Sequence, residues 1–143
     1  MVAIALLPSD ASPSLLNSMA LLSATPFVIT PPTEDIRWVT HVCAQLAKTA
    51  EPLILVFEGP SCTHAPAVGF SRRALRRPAI HYVLVNPTDL PNPSSEYSDW
   101  PDAPITIVIN SDDASAYSTV KWQASLRGWI AIETPLVDFL NNI

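Results

Sequence analysis

The chain carries three glycines in 143 residues. So little backbone freedom leaves no glycine-rich loop to cradle a phosphate. Neither G-x-G-x-x-G nor a P-loop occurs, which argues against a wrapped nucleotide, and no cofactor is expected. Histidine is equally scarce: His41, His64 and His81 have no metal-like spacing, and none follows His81, so no metal site is expected. The two cysteines, Cys43 and Cys62, are likewise spaced unlike metal ligands. Charged residues make up 15% and the net charge is −5, so no basic surface for a phosphate backbone exists and nucleic acid is not an expected partner. The one basic cluster, Arg72, Arg73, Arg76 and Arg77, reads as the solvated end of a helix. No apolar run is long enough to cross a membrane, and the apolar start "MVAIALLPSDASP" lacks a basic leader. A cytoplasmic protein without a membrane partner is the expectation.

Apolar residues and proline are plentiful. Hydrophobic residues reach 48%, enough for a packed core, and the 15 prolines fall mostly at element boundaries. Six short runs stand out: 2–7, 26–30, 52–58, 80–86, 104–110 and 128–133. They are near-continuous and β-branched rather than alternating, the pattern of strands covered on both faces of a parallel sheet. Helical segments separate them. Residues 12–24 open with Ser12 and Pro13, suited to an N-cap and first helical position. Residues 33–50 open with Thr33, Glu34 and Asp35 and repeat apolar positions at helical spacing. Further helices are predicted over 66–77 and 113–127, with a short last one at "PLVDFLNN". Strand–helix alternation predicts a single α/β domain over 1–143, three layers deep, with right-handed crossovers. The proline-rich stretch 87–103 has no periodicity and reads as a surface loop or reduced lid.

Within this frame, the strand "PLILVFE" runs into Gly59-Pro60-Ser61-Cys62-Thr63, close to the G-x-S-x-G nucleophile elbow. Then come "RRPAIHYVLVNP", "WPDAPITIVINSDD" and "RGWIAIE". In order and kind these segments resemble the core of the α/β-hydrolase superfamily. The resemblance implies a six-stranded, mostly parallel sheet of order 2-1-3-4-5-6, without the N-terminal hairpin strands or a full lid. It also implies Ser61 as nucleophile, Asp112 or Asp113 as acid, and oxyanion donors at the Cys62 N–H and near Ser9. Ligands of open α/β sheets bind beyond the carboxyl ends of the strands, where the strand order reverses. In the expected order that is between residues 8–12 and 59–63.

The chain departs from the family pattern at the base. A serine triad needs a histidine to take the hydroxyl proton, and the segment after "GWIAIE" has none. Thr63 replaces the elbow's second glycine, Pro66 suggests a helix starting late, Pro8 has no N–H, and Asp10 would oppose an oxyanion. His64, three residues after Ser61, is the one histidine in loop reach of it, and reads otherwise as a surface loop residue. Asp112 reads either as triad acid or as a cap for helix 113–127. Cys62 reads as a half-buried thiol, and Trp100 either as a ligand contact or as an anchor for its loop. Three functions are consistent with this. One is a degenerate hydrolase-like protein that binds or transforms a small apolar molecule without hydrolysis, with Asp10 and His64 as acid and base and Ser61, Cys62 and Asp112 lining the pocket. The second is a small serine esterase or thioesterase with Ser61 as nucleophile and an atypical base. The third is a non-catalytic homodimer paired through the exposed sheet edge at "GWIAIE".

Overall fold

The computed structural model describes residues 3–7, 27–28, 38–49, 52–91, 100–109 and 114–142. The expected helix at 12–24 and the openings of those at 33–50 and 113–127 lie outside them, as do Ser9, Asp10 and Asp112.

The fold is α/β with an all-parallel sheet. Its longer strands are β1 (Ala3–Leu7), β3 (Leu53–Glu58), β4 (His81–Val85), β5 (Ile105–Val108) and β6 (Ile130–Ile132), which lie side by side in chain order. The two-residue β2 (Phe27–Val28) pairs with the outer side of β1. The ladders pair Ala5 with Leu55, Val56 with Val83, Leu84 with Ile107 and Ile107 with Ala131. Successive side chains of a strand point to opposite faces, and here both faces are dry. Leu53, Leu55, Phe57, Tyr82, Leu84 and Ile107 face one cluster, and Ile54, Val56, Val83, Val85 and Val108 the other. That is why the strands read as unbroken apolar runs. Each fully buried Leu or Phe stabilises the fold by about 2–3 kcal/mol.

Four described α-helices cover the sheet: α1 (Trp38–Leu46), α2 (Ala65–Ala74), α3 (Ser118–Leu126) and α4 (Leu136–Leu140). Val42 and Leu46 of α1, Ala65 and Val68 of α2, and Val120 and Ala124 of α3 enter the first cluster, while Leu136, Val137 and Leu140 of α4 enter the second. A 3-10 turn, Ala114–Tyr117, leads into α3, so the segment expected as one helix is divided. Helix α2 ends three residues before the expected 77, because Arg76 turns into the left-handed region with φ 58°. There the Arg77 N–H returns to the Arg72 carbonyl at 2.9 Å and the Arg76 N–H to the Arg73 carbonyl at 2.8 Å. This is a Schellman ending with arginine in the position glycine usually takes. Helix α3 ends the same way with Gly128 at φ 73°, which swings the chain into β6.

The arginine cluster is the solvated helix end its spacing suggested only at Arg76 and Arg77, which are exposed. Arg72 is 1% exposed. Its guanidinium reaches across to α1, donating through Nη1 to the Leu46 carbonyl at 2.9 Å and through Nε to the Arg77 carbonyl at 3.1 Å. It thereby satisfies the last carbonyl of α1. Burial, and then the nearby Arg77 charge, pull the Arg72 pKa down, with Cys43 opposing them. Arg73 instead forms an ion pair with Asp102 at 3.5 Å.

Candidate functional site

Parallel strands put every C-terminus on one side, and beyond that side lie the residues after β3 and β4. Glu58 ends β3, and a 3-10 helix, Gly59–His64, follows directly. The backbone there is not an elbow. In a nucleophile elbow the serine itself sits on the strained turn. Here the left-handed conformation falls on Gly59, with φ 55°, two residues earlier. Among the described residues the non-glycine positions with positive φ are Arg76 and Asn86, not Ser61.

The geometry ties Ser61 to the turn that it opens. It is 4% exposed. Its Oγ donates to the Glu58 carbonyl at 2.7 Å and accepts from the Glu58 N–H at 3.0 Å. The Glu58 carboxylate returns the favour by accepting from the Ser61 N–H, which completes a reciprocal cap at the start of the 3-10 helix. A carbonyl has no proton to give, so the short contact fixes the hydroxyl hydrogen on Glu58. A carbonyl also cannot take that proton away, so this contact does not itself activate the serine.

His64 is not that missing base either. Its imidazole stacks on the Trp38 indole, with ring centroids 4.7 Å apart and planes 23° from parallel. No hydrogen bond joins it to Ser61 among the described residues. Burial pushes the His64 pKa below its usual 6.5, so the ring is neutral at pH 7. Trp38 opens the described part of α1, and a helix following β2 starts over the carboxyl ends of the strands. The stacked pair, half-buried on both sides, is thus an aromatic surface at the end of the sheet where ligands of such folds bind. Trp38 is partly buried and also packs against the first core cluster. The signal for its position was available: it sits near the start of its helix, at the end that faces the strand C-termini.

Cys62 is withdrawn from this surface. It is fully buried, with Sγ directed at the Val85 carbonyl at 4.0 Å. Burial drives its pKa far up, with the neighbouring Glu58 charge adding and the Val85 contact opposing. A thiol so held is neither a ligand contact nor a nucleophile, because the thiolate is the reactive form. Both cysteines are free. Asn86, with φ 43°, turns the chain after β4, and its N–H donates to the Val108 carbonyl at 3.0 Å. Asparagine tolerates that region better than most side chains.

Trp100 lies at the opposite end of the sheet. It is 2% exposed and packs edge-on against Tyr82 at 5.4 Å and Trp129 at 5.8 Å. The expected ligand contact is therefore an anchor of the loop before β5. Next to it the Tyr82 hydroxyl donates to Asp102 at 2.6 Å, and Asp102 holds Arg73. Burial, then the bond to Asp102, push the Tyr82 phenol up. His81, at the start of β4, shares a 2.9 Å hydrogen bond between Nε2 and the Thr106 hydroxyl, also far from the carboxyl end.

Among the described residues no group of three or more His, Cys, Asp or Glu is arranged to hold a metal, and no helix is long and apolar enough to cross a membrane. The chain matches no protein-family model, no curated protein and no solved structure.

Proposed function

We propose that this is an α/β-hydrolase-like protein that binds a small, flat, apolar molecule, or transforms it without hydrolysis, at the carboxyl end of its sheet. Three features support kinship with that superfamily: the parallel sheet, the serine-bearing turn after β3, and the reversal of strand order that β2 adds beside β1. The observation that carries the non-hydrolytic reading is the Ser61 hydroxyl, held on both sides by the Glu58 backbone while His64 lies against Trp38. In this reading Ser61 shapes the turn and the Trp38–His64 pair receives the ligand. Because the imidazole and the indole are stacked on each other, a planar molecule would add to the outer side of that stack, gaining stacking and burial there. The neutral His64 can also accept a proton from a bound molecule, which needs no serine.

Two measurements test this. A fluorophosphonate probe is expected to leave Ser61 unlabelled, and labelling that vanishes in Ser61→Ala would establish a serine hydrolase instead. The neutral naphthalene dye prodan is expected to bind with a blue-shifted emission and to lose at least about tenfold in affinity in Trp38→Ala, a loss of about 1.4 kcal/mol. Equal affinity in the variant would remove the stacked pair from the site.

A further inference from the structure

Among the described residues, strand β6 is the last of the sheet and has a neighbour on one side only. Open edges of this kind are usually blunted by lysine, proline or an inward charge. Ile130-Ala131-Ile132 contains none of these, and the Ile130 side chain is 63% exposed. Three of the six exposed large apolar side chains fall between 122 and 130, the others there being Trp122 at 64% and Leu126 at 67%.

The backbone sets the register in which this edge could be filled. The Ile109 N–H donates to the Ile132 carbonyl at 2.8 Å, so Ile132 directs its polar groups toward β5. By strand alternation Ala131 directs both its N–H and its C=O outward. An antiparallel partner exchanging two hydrogen bonds with Ala131 has its twofold axis there if the partner is a second β6. That register sets Ala131 against Ala131, where a small side chain allows close approach. It sets Ile130 against Ile132 of the second copy, giving the exposed isoleucine an apolar cross-strand neighbour. It also sets Trp129 against Glu133 of the second copy.

The charges agree with this arrangement. The Arg127 guanidinium lies over the Trp129 ring, 4.9 Å from its centroid. In the twofold register it meets Glu133 of the second copy, while each Glu133 keeps the Lys121 of its own chain. The edge therefore carries Arg127, which also donates to the Pro91 carbonyl at 2.6 Å, at one end, and the Lys121–Glu133 pair at the other, with apolar side chains between, so that in the twofold register each Arg127 comes to the Glu133 end of the second copy. Helix α3 of each copy flanks the seam, and Trp122 and Leu126, one turn apart on it, are the apolar surface beside the joint.

From these observations we infer that β6 is a homodimer edge, pairing antiparallel with β6 of a second copy about a twofold axis at Ala131, so that the two sheets become one. This inference does not depend on the ligand site, which lies at the carboxyl end of the strands rather than at the sheet's edge.

Size-exclusion chromatography with light scattering on the full chain at micromolar concentration tests it, with circular dichroism to verify folding. The expected mass is twice that of the chain. Ala131→Pro removes an N–H that β5 does not use, and Ile130→Lys places a charge on an exposed position; both are expected to give folded monomers. In a Cys43→Ser background, Ala131→Cys is expected to form a disulfide-linked dimer under mild oxidation, and Ile130→Cys, which faces Ile132 rather than itself, far less. A monomeric parent chain overturns the proposal. A dimer that survives both β6 variants overturns it too, because another surface or another strand would then be holding the copies together. Equal cross-linking at 130 and 131 overturns the register.

Discussion

The two ends of the sheet hold similar residues to different purposes. At the amino end, Tyr82, Asp102, Arg73 and Trp100 form a linked set: phenol to carboxylate, carboxylate to guanidinium, and indole packed edge-on against two other aromatic rings. At the carboxyl end, Ser61 is tied to backbone, and the aromatic pair Trp38–His64 is left half-exposed. The amino-end set is linked without being fully satisfied, since Trp100 Nε1 and Asp102 Oδ2 are buried without a hydrogen-bond partner among the described residues, but its contacts run among its own members. A half-exposed aromatic pair is what the proposed ligand would use. The chemistry of the residue types alone does not separate the ends; the hydrogen-bond partners do.

The sharpest break in that comparison comes at Gly69. A Cβ built there would lie 2.2 Å from the Tyr82 hydroxyl and 3.0 Å from Trp100 Cδ1. Tyr82 cannot yield easily, since its hydroxyl is fixed on Asp102. Gly69→Ala is expected to cost about 1–3 kcal/mol in urea unfolding. Adding Tyr82→Phe to it removes the clashing oxygen and should recover part of that loss, a non-additivity that a double-mutant cycle measures directly. Purely additive effects would mean that the amino end is not the linked unit described above. Prodan affinity should stay unchanged throughout.

A smaller effect is expected at the carboxyl end. Ser61→Ala removes one partner of a reciprocal cap, a loss of about 1 kcal/mol. On the proposed reading, in which that serine shapes a turn, the variant should still bind prodan as the parent does. Unchanged stability with lost binding would reverse the assignment and return Ser61 to the ligand.

The contrast between the ends also marks what was legible in the sequence. The α/β class and the positions of the strands could be read because continuous apolar runs such as "LILVF" have few alternatives to a strand covered on both faces. The missing histidine was legible as an absence. The tasks of individual side chains were not. Ser61 in a G-x-S-x frame looks like a nucleophile until the left-handed turn is found on Gly59 instead. Trp100 in a proline-rich loop gives no sign that Tyr82 and Trp129 wait for it, because those contacts span 18 and 29 positions of chain. Arg72 looked solvated because helical spacing shows which residues share a face, not whether another helix end lies across from it. Local patterns carry the elements, whereas partners distant in the chain decide what each side chain does.

The least effect, and the finest comparison, concerns the two histidines, one at each end. His64 lies against Trp38, and His81 lies between Thr106 and the edge of Phe139. Burial lowers the pKa of both below the usual 6.5. Above that value folded and unfolded chains are both neutral at these positions, and stability does not respond to them. As the pH falls below it, the unfolded chain takes up protons that the folded chain refuses, so stability declines until the lowered folded values are passed. Urea midpoints measured between about pH 7.5 and about pH 5.5 should therefore fall. His81→Gln and His64→Gln should each flatten the decline, and the double variant should flatten it most. The two differ in one respect. A bound prodan molecule on the Trp38–His64 face buries His64 further and should steepen the decline in the parent chain and in His81→Gln, but not in His64→Gln. A steepening that persists in His64→Gln would place the dye at the other end of the sheet.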